Sequence, residues 1–399
     1  MEGPCIAIDV SKDESHIQGY MTLGEPIGDA ASIGHDKEGF TRLEELGKEL
    51  TMRVGRPPAA VFEATGIYHR GLQSHLESIK MTYYIVNPLL AAKCRKQELR
   101  TKKTDVRDCK NLAKVYYTTE LRVTTTADEN YYRMRQLSRY YEDLLNHLRK
   151  CKVGFTEALD VVHPGYRDIF DDPYTATSFA LLKVYPHPST LERRKPETVA
   201  RILEKQGDHG VVWCFEKAEQ AIRHAQSCVS GCKATDVNVD ILLGELEQVE
   251  AYQKRIAEVL KQIVEQAKTL PEFRLLTSVP GIGENLAARI MAEVGDIKRF
   301  ARSKQLAAYA GLDPIVYQSG QMDGLHLRIS KKGNKRLRCL VYLAARCGLA
   351  QRTTNVIRDF YNKKTRQAHP LCAKAASVAC AHKLLRIIHG VCVTGTQFR

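Results

Sequence analysis

Residues 4–12, Pro4-Cys5-Ile6-Ala7-Ile8-Asp9-Val10-Ser11-Lys12, form a short apolar run that ends in a carboxylate. Such a run, stopped by polar residues, has the length and pattern of a buried strand. A charge at its end is expensive to desolvate unless it has a task. The same spelling recurs at Ala59-Ala60-Val61-Phe62-Glu63-Ala64-Thr65-Gly66, again a buried run closed by an acid. A third motif, Lys103-Thr104-Asp105-Val106-Arg107-Asp108, opens a helical stretch and puts two carboxylates at i and i+3, on one helix face. Hard cations take oxygen ligands, and a pair of ions about 3.5–4 Å apart among carboxylates can cleave a phosphodiester. Asp9, Glu63, Asp105 and Asp108 are therefore candidate catalytic residues and candidate ligands for Mg²⁺ or Mn²⁺.

Working outward, residues 4–10, 16–23 and 30–34 read as three hairpin-like strands. Alternating helix and strand follow: helix 38–52 with Phe40, Leu43, Leu46 and Leu50 at helical spacing, strand 59–62, helix 68–79, strand 83–86 and helix 105–117. That order predicts a mixed sheet with helices packed on it. Two heptad stretches come next. Met134, Leu137, Tyr141, Leu144, Leu148, Cys151 and Phe155 make one; Val239, Leu242, Leu246, Val249, Gln253, Ile256, Leu260 and Ile263 make the other. Each is long enough for a coiled coil, within the chain or across a dimer.

Between the heptads, Pro164, Pro173, Pro186, Pro188 and Pro196 punctuate what reads as an inserted, partly helical subdomain. Pro280-Gly281-Ile282-Gly283, flanked by helical stretches, spells a helix-hairpin-helix in which Gly281 and Gly283 free backbone N–H groups for a phosphate. A plain tight turn has the same spelling. Beyond it lie residues 304–310 and a loop around Ser319, and three helices are expected at 334–350, 354–366 and 371–388. The expected division is 1–125, coiled-coil helices 126–160 and 239–269, an insertion 161–238 and a mainly helical region 270–399. In class the chain is α/β followed by α.

The formal net charge is +14, and it is not evenly spread. From Arg328 to Arg399 there are 16 Lys and Arg against one acid, Asp359, whereas residues 1–327 hold 44 basic and 45 acidic residues. A polarised basic region of this kind suits a polyanion, most simply nucleic acid. Arg328, Lys331, Lys332, Lys335, Arg336 and Arg338 are its candidate contacts. No run of about 18 apolar residues and no secretory leader are read, so no membrane span is expected and the cytoplasm, close to the nucleoid, is the expected location. Most of the twelve cysteines sit singly in apolar patterns, as reduced core thiols do. His224, Cys228 and Cys232 fall at i, i+4 and i+8; they read as a helical face, since a metal site there lacks a fourth ligand.

Ser319, in Gln318-Ser319-Gly320, sits in a glycine-containing loop just ahead of those six basic residues. A hydroxyl becomes a nucleophile only when its proton is taken and the phosphate's charge offset. By residue type alone, a turn serine and a nucleophile both stay open.

These motifs, in order, resemble the DEDD transposases of bacterial insertion sequences, the "one-ten" insertion-sequence family. The matching stretches are Ile8-Asp9-Val10-Ser11-Lys12, Glu63-Ala64-Thr65-Gly66-Ile67-Tyr68, Asn87-Pro88 and Lys103-Thr104-Asp105-Val106-Arg107-Asp108, then Pro280-Gly281-Ile282-Gly283, Gly311-Leu312-Asp313-Pro314, Gln318-Ser319-Gly320 and Lys332-Gly333-Asn334 with Leu337-Arg338. The resemblance covers roughly 1–160 and 270–390; Cys109 stands where the family usually has alanine, and the 160–238 segment departs from it. It implies a RuvC-like, RNase H fold for the first domain and a C-terminal transposase domain. It implies that Ser319 is a recombinase nucleophile forming a 5′-phosphoserine link to DNA, with Ser330 as the alternative. It also implies donor and target DNA as substrates, a structured bridge RNA as guide, and a homodimer or homotetramer. A RuvC-like nuclease that uses water and no covalent link, and a nucleic-acid-binding protein without activity, are the alternative readings.

Overall fold

Alternation along residues 5–10 sends successive side chains to opposite faces of a sheet. In the computed structural model β1 (Cys5–Val10) does this with helices covering both faces. The structure describes residues 2–63, 67–86, 90, 91, 94, 105–121, 129–207, 209–314, 318, 319, 322, 323, 329–351 and 354–398. It divides into two compact units, Met1–Thr126 and Ala127–Arg399.

In the first unit β1 is followed by β2 (Glu14–Thr22), β3 (Glu25–Gly34), α1 (Lys37–Val54), β4 (Ala59–Glu63), α2 (His69–Ser78), β5 (Tyr83–Val86) and α3 (Asp105–Thr118). The sheet order is β3-β2-β1-β4-β5. Strands β1, β2 and β3 pair antiparallel, while β1–β4 and β4–β5 pair parallel. This is the mixed sheet that the strand and helix pattern predicts. Ile6, Ile8, Val10, Ala60 and Phe62 face Leu43 and Leu50 of α1 and Leu72 and Leu76 of α2. Cys5, Ala7, Ala59, Val61, Tyr84 and Val86 face Cys109, Leu112, Ala113 and Tyr116 of α3. The third strand begins at Glu25 rather than at residue 30. It lies at the sheet edge with only Ile27 and Ile33 buried, so its apolar alternation is too sparse to read.

The second unit is almost wholly helical: α4 (Glu129–Val162), α5 (Ala176–Val184), α6 (Pro188–Leu191), α7 (Pro196–Glu204), α8 (Val211–Ser227), α9 (Val237–Lys268), α10 (Glu272–Thr277), α11 (Glu284–Val294) and α12 (Ser303–Ala310). A two-stranded hairpin, β6 (Gln318–Ser319) and β7 (Met322–Asp323), precedes α13 (Lys335–Ala350), α14 (Val356–Arg366) and α15 (Ala373–Thr394). The two heptad stretches lie on α4 and α9, which pack along each other within the chain. Their seam serves two cores. Phe155, Leu159 and Val162 join Leu242, Leu246 and Val249 under the helices of the insertion. Met134, Tyr141 and Leu144 join Val259, Ile263 and Ala267 under α10 to α15. Gln253, the polar member of the second heptad series, donates from Nε2 to Tyr174 O at 3.0 Å, so even this position ties the pair to the insertion.

One expectation changes in the insertion. The insertion is folded into helices, three of which start at a proline or a polar cap. Thr175 accepts from Ser178 N to cap α5, and Pro188 and Pro196 occupy the first turns of α6 and α7, where a missing N–H is harmless. His224, Cys228 and Cys232 do not share one helical face. Helix α8 stops at Ser227, Cys228 is extended, and the chain then turns so that Gly231 N donates to Val161 O at 2.9 Å.

Helix α15 is long and apolar enough, by length and composition, to cross a membrane, and half of that stretch is buried within the fold. Cys380, Ala381, Leu384, Leu385 and Ile388 lie in the second unit's core, which accounts for the apolarity.

The turn spelled Pro-Gly-Ile-Gly joins α10 to α11, and its two glycines differ. Gly281 has φ +85, and a Cβ there would lie 2.3 Å from Ala344 O and 2.5 Å from Gly348 N of α13. Gly283 caps α11 with φ −84, and a Cβ there would meet nothing within 4 Å. We therefore expect Gly281→Ala to lower stability by about 3 kcal/mol, from left-handed strain plus backbone overlap. Gly283→Ala should lower it by no more than about 0.5 kcal/mol. Urea unfolding of the two variants checks this; equal midpoints would show that the α13 contact does not hold the turn.

Candidate functional site

Parallel pairing of β1 with β4 runs Ile6↔Ala60, Ile8↔Phe62, so Asp9 and Glu63 come next, side by side at the ends of adjacent strands. Both follow the parity of Ala7 and Val61, which places them on the face covered by α3. Helix α3 lies antiparallel to β1 on that face. Cys109 Sγ donates to His16 O at 3.3 Å, and His16 is the cross-strand partner of Asp9. Eight residues on, the Tyr117 hydroxyl donates to Tyr20 O at 3.3 Å, opposite Cys5. The first turns of α3 therefore stand over the Asp9 end of the sheet. Asp108, next to Cys109, is 7% exposed there. Asp105 is the first residue of α3, one turn earlier; its side chain lies outside the described residues.

The floor beneath these carboxylates is poorly solvated. Burial pushes the Cys5 thiol up to about 12, against the opposing pull of a hydrogen bond with Tyr117. Burial likewise holds the Tyr20 and Tyr116 hydroxyls up at about 12. The face of α3 is thus neutral and apolar up to its first turn, where the acids collect. Oxygen donors grouped at the edge of such a medium suit a hard divalent cation, whose attraction is screened less than in water.

In the second unit the loop carrying Ser319 is anchored at its base. Pro314 and Ile329 form an antiparallel bridge. Ser330 N donates to Asp313 O at 2.8 Å, and the Ser330 hydroxyl donates to Asp313 Oδ1 at 2.6 Å. Backbones approach closely here: a Cβ on Gly333 would sit 2.4 Å from Tyr309 O, and one on Gly311 (φ +66) would sit 2.9 Å from Lys331 C. Asn334 completes the knot. Its side chain accepts from Leu337 N to cap α13, and its Nδ2 donates to Glu293 Oε2 at 2.7 Å, a carboxylate that is fully buried. Ser319 pairs with Met322 in the β6–β7 hairpin, beyond this base. The Ser319 side chain, and Arg328 altogether, lie outside the described residues.

The basic candidates separate into two kinds. Lys331, Lys332 and Lys335 are exposed. Arg336 instead pairs through Nε with Glu142 at 2.8 Å, sharing that carboxylate with Arg289 at 3.0 Å, and Arg338 donates from Nη1 to Ala310 O at 2.8 Å. These two arginines hold α13 to α4 and α12. Gly281 is packed against α13, whereas Gly283 opens α11 with no side-chain cap.

Sequence reading does not single out one further group. His382, Lys383, Arg386 and His389 line a cavity of about 450 Å³ with Ser303 and Phe360. Lys383 lies over the Phe360 ring, 4.9 Å from its centre. Burial, and then Arg386, lowers the pKa of His382, which Asp313 partly offsets. The signal was a one-turn spacing of cations on α15, masked by the apolar residues between them.

Two family models match. One, described as a transposase of the DEDD, IS110 type, covers residues 6–164; the other, described as the transposase IS116/IS110/IS902 family, covers residues 273–362. The first contains all four carboxylates and the second contains Ser319 and the knot at its base. Among similar proteins are an uncharacterized 44.8 kDa protein of insertion element IS116 from Streptomyces clavuligerus, 29% identical over 55% of this chain and 52% of that protein. The transposase for insertion sequence element IS1111A of Coxiella burnetii is 38% identical over 26% of this chain and 27% of that protein. A pilin gene-inverting protein of Moraxella bovis is 30% identical over 25% of this chain and 32% of that protein. The matched part spans about half the length of the first of these relatives and less of the other two.

If Ser330 is an anchor, Ser330→Ala loses a hydrogen bond to a charged partner, worth about 2 kcal/mol. Amide hydrogen exchange at Ile329 and Ser330 should then speed up by about tenfold or more, while exchange in α11 stays unchanged. No change at Ile329 would remove the anchoring role.

Proposed function

We propose that this chain, which belongs to the DEDD transposase family of bacterial insertion sequences, is a DNA transposase and site-specific recombinase. The observation that carries the reading is the parallel register that sets Asp9 beside Glu63 beneath the first turns of α3, with Asp108 next to the anchoring Cys109. On this reading the first unit is RuvC-like, and the second carries the covalent chemistry on the Ser319 hairpin.

Asp9, Glu63, Asp105 and Asp108 would hold Mg²⁺ or Mn²⁺. Their all-oxygen donor set fits such ions, and half-buried Asp9 and Glu63 leave one side open to a phosphate. A bound ion supplies charge stabilisation at phosphorus. The protein's own part is to hold these acids against the sheet and to exclude bulk water beneath them.

Ser319 would attack phosphorus through its hydroxyl oxygen. A serine–phosphate bond forms, the bond to the 3′ oxygen breaks, and the 3′ hydroxyl leaves. Attack by a second strand's 3′ hydroxyl on the phosphoserine reverses the step and rejoins DNA, so bond energy is retained and no ATP is required. Lys331, Lys332 and Lys335 stand exposed past the loop's base, where they would offset the phosphate's charge. Loops held on a rigid scaffold commonly carry reactive groups.

Donor and target DNA are the substrates on this reading. A structured guide RNA supplies sequence choice, which suits a protein with a basic C-terminal region whose sequence spells no recognisable helix-turn-helix or zinc finger. A homodimer or homotetramer would bring two strand pairs together.

Replacing Asp9, Glu63 or Asp108 with Ala should reduce strand exchange by at least about a hundredfold, since several kcal/mol of charge stabilisation are lost. Circular dichroism should be unchanged. Full exchange by Asp9→Ala would sink the metal assignment.

A separate test addresses the serine. Suicide DNA substrates with guide RNA, followed by denaturation, should leave a DNA-linked peptide that maps to Ser319. Ser319→Ala should lose the adduct and recombination but keep nucleic-acid binding. Metal-dependent cleavage with no adduct would favour a nuclease that uses water.

A further inference from the structure

We propose that His163, His224 and Cys228, with Cys232 closing the set, form a binding site for a zinc-class transition ion that staples the two ends of the inserted subdomain. The side-chain ligand atoms of His163, His224 and Cys228 all lie within 4.8 Å of one another; Cys232 is not in that group and would join it by rotation of its side chain within the 228–232 turn. Zinc bonds of about 2.0–2.3 Å require ligand atoms somewhat closer than that, a change within reach of small side-chain rotations. His224 Nε2 and the Cys228 thiol both donate to Pro164 O, at 3.0 and 3.4 Å, hydrogen bonds that an ion would replace as it takes the lone pairs.

His163 is the second, independent observation. It is fully buried, and neither of its ring nitrogens has a hydrogen-bond partner. Buried imidazoles are nearly always satisfied, so two orphaned nitrogens in one ring call for a partner. The ring stacks on His224 with centroids 5.3 Å apart and planes 9° from parallel.

Nitrogen and sulfur donors select a zinc-class ion over magnesium. Cys228-Val229-Ser230-Gly231-Cys232 has the cysteine spacing of a zinc site. The turn between the cysteines is already closed: Cys232 N donates to Ser230 Oγ at 3.3 Å, and the Ser230 hydroxyl donates to Val162 O at 2.7 Å. Gly165, at φ +76, lets the His224 ring close in; a Cβ there would lie 2.9 Å from His224 Cε1. His163 directly follows α4 and Cys228 directly follows α8, so one ion would join the point where the chain leaves the long helix to the point where it turns back. His224, Cys228 and Cys232 fall outside both matched family regions.

The test uses the full chain, stripped with a chelator and held in excess Mg²⁺ so that hard carboxylate sites are occupied. Added Zn²⁺ should bind at one equivalent by elemental analysis and protect the insertion from proteolysis. Co²⁺ should give a thiolate-to-cobalt charge-transfer band. Cys228→Ser and Cys232→Ser should each about halve that band, and His163→Ala and His224→Asn should weaken zinc binding by about tenfold or more in competition with a chelator. If His163→Ala fails to fold, the half-exposed Cys228 and Cys232 variants still decide. A chain that takes up no zinc under these conditions, or a thiolate band that survives Cys228→Ser at full strength, overturns the proposal.

Discussion

Two parallel strands ending in acids on the same side of a sheet create a problem of charge. Asp9 and Glu63 are neighbours across the β1–β4 pairing, half-buried at the edge of an apolar layer. Like charges at strand spacing repel, and the low polarisability beneath them sharpens that repulsion. Much of the first unit can be understood as a frame that holds this arrangement: β2 braces β1 through an antiparallel register, and Cys109 locks α3 to the backbone opposite Asp9.

The second unit meets a different constraint. Two long helices cannot bury both of their ends with their own side chains alone. Helices α4 and α9 solve this by lending one half to the insertion's core and the other half to the C-terminal core. The ion-paired Glu142, which holds Arg289 and Arg336, ties α4 to α11 and α13. From that frame a knot of close backbone contacts around Gly311 and Gly333 projects the Ser319 hairpin. Packing at the base of this loop is rigid because the hydrogen bonds are concentrated at Asp313, Ser330 and Asn334.

Charge in the C-terminal region is likewise divided by structure. An even count of basic residues would credit Arg336 and Arg338 equally with Lys331, Lys332 and Lys335. Instead the arginines, whose planar forks suit several fixed partners, hold helices together, and the lysines face solvent. The cations of α15 add a second basic surface around the 450 Å³ cavity.

The sequence by itself determined the elements. Period-two and period-3.6 patterns are local, so β1, β4, β5, α3 and the two long helices stand where residue types alone place them, and Asp9 and Glu63 can be recognised at strand ends. Only the tertiary structure decided the partners. That Asp9 neighbours Glu63 depends on the register of strands some fifty residues apart. That Gly281 must lack a side chain depends on α13 crossing behind it. That His163 stands with His224 and Cys228, while the helical face through Cys232 does not form, depends on where α8 stops and the chain turns back to Val161. Spacing along a chain records which residues share an element; which elements touch is settled by packing many side chains at once, and no short window of sequence contains that information.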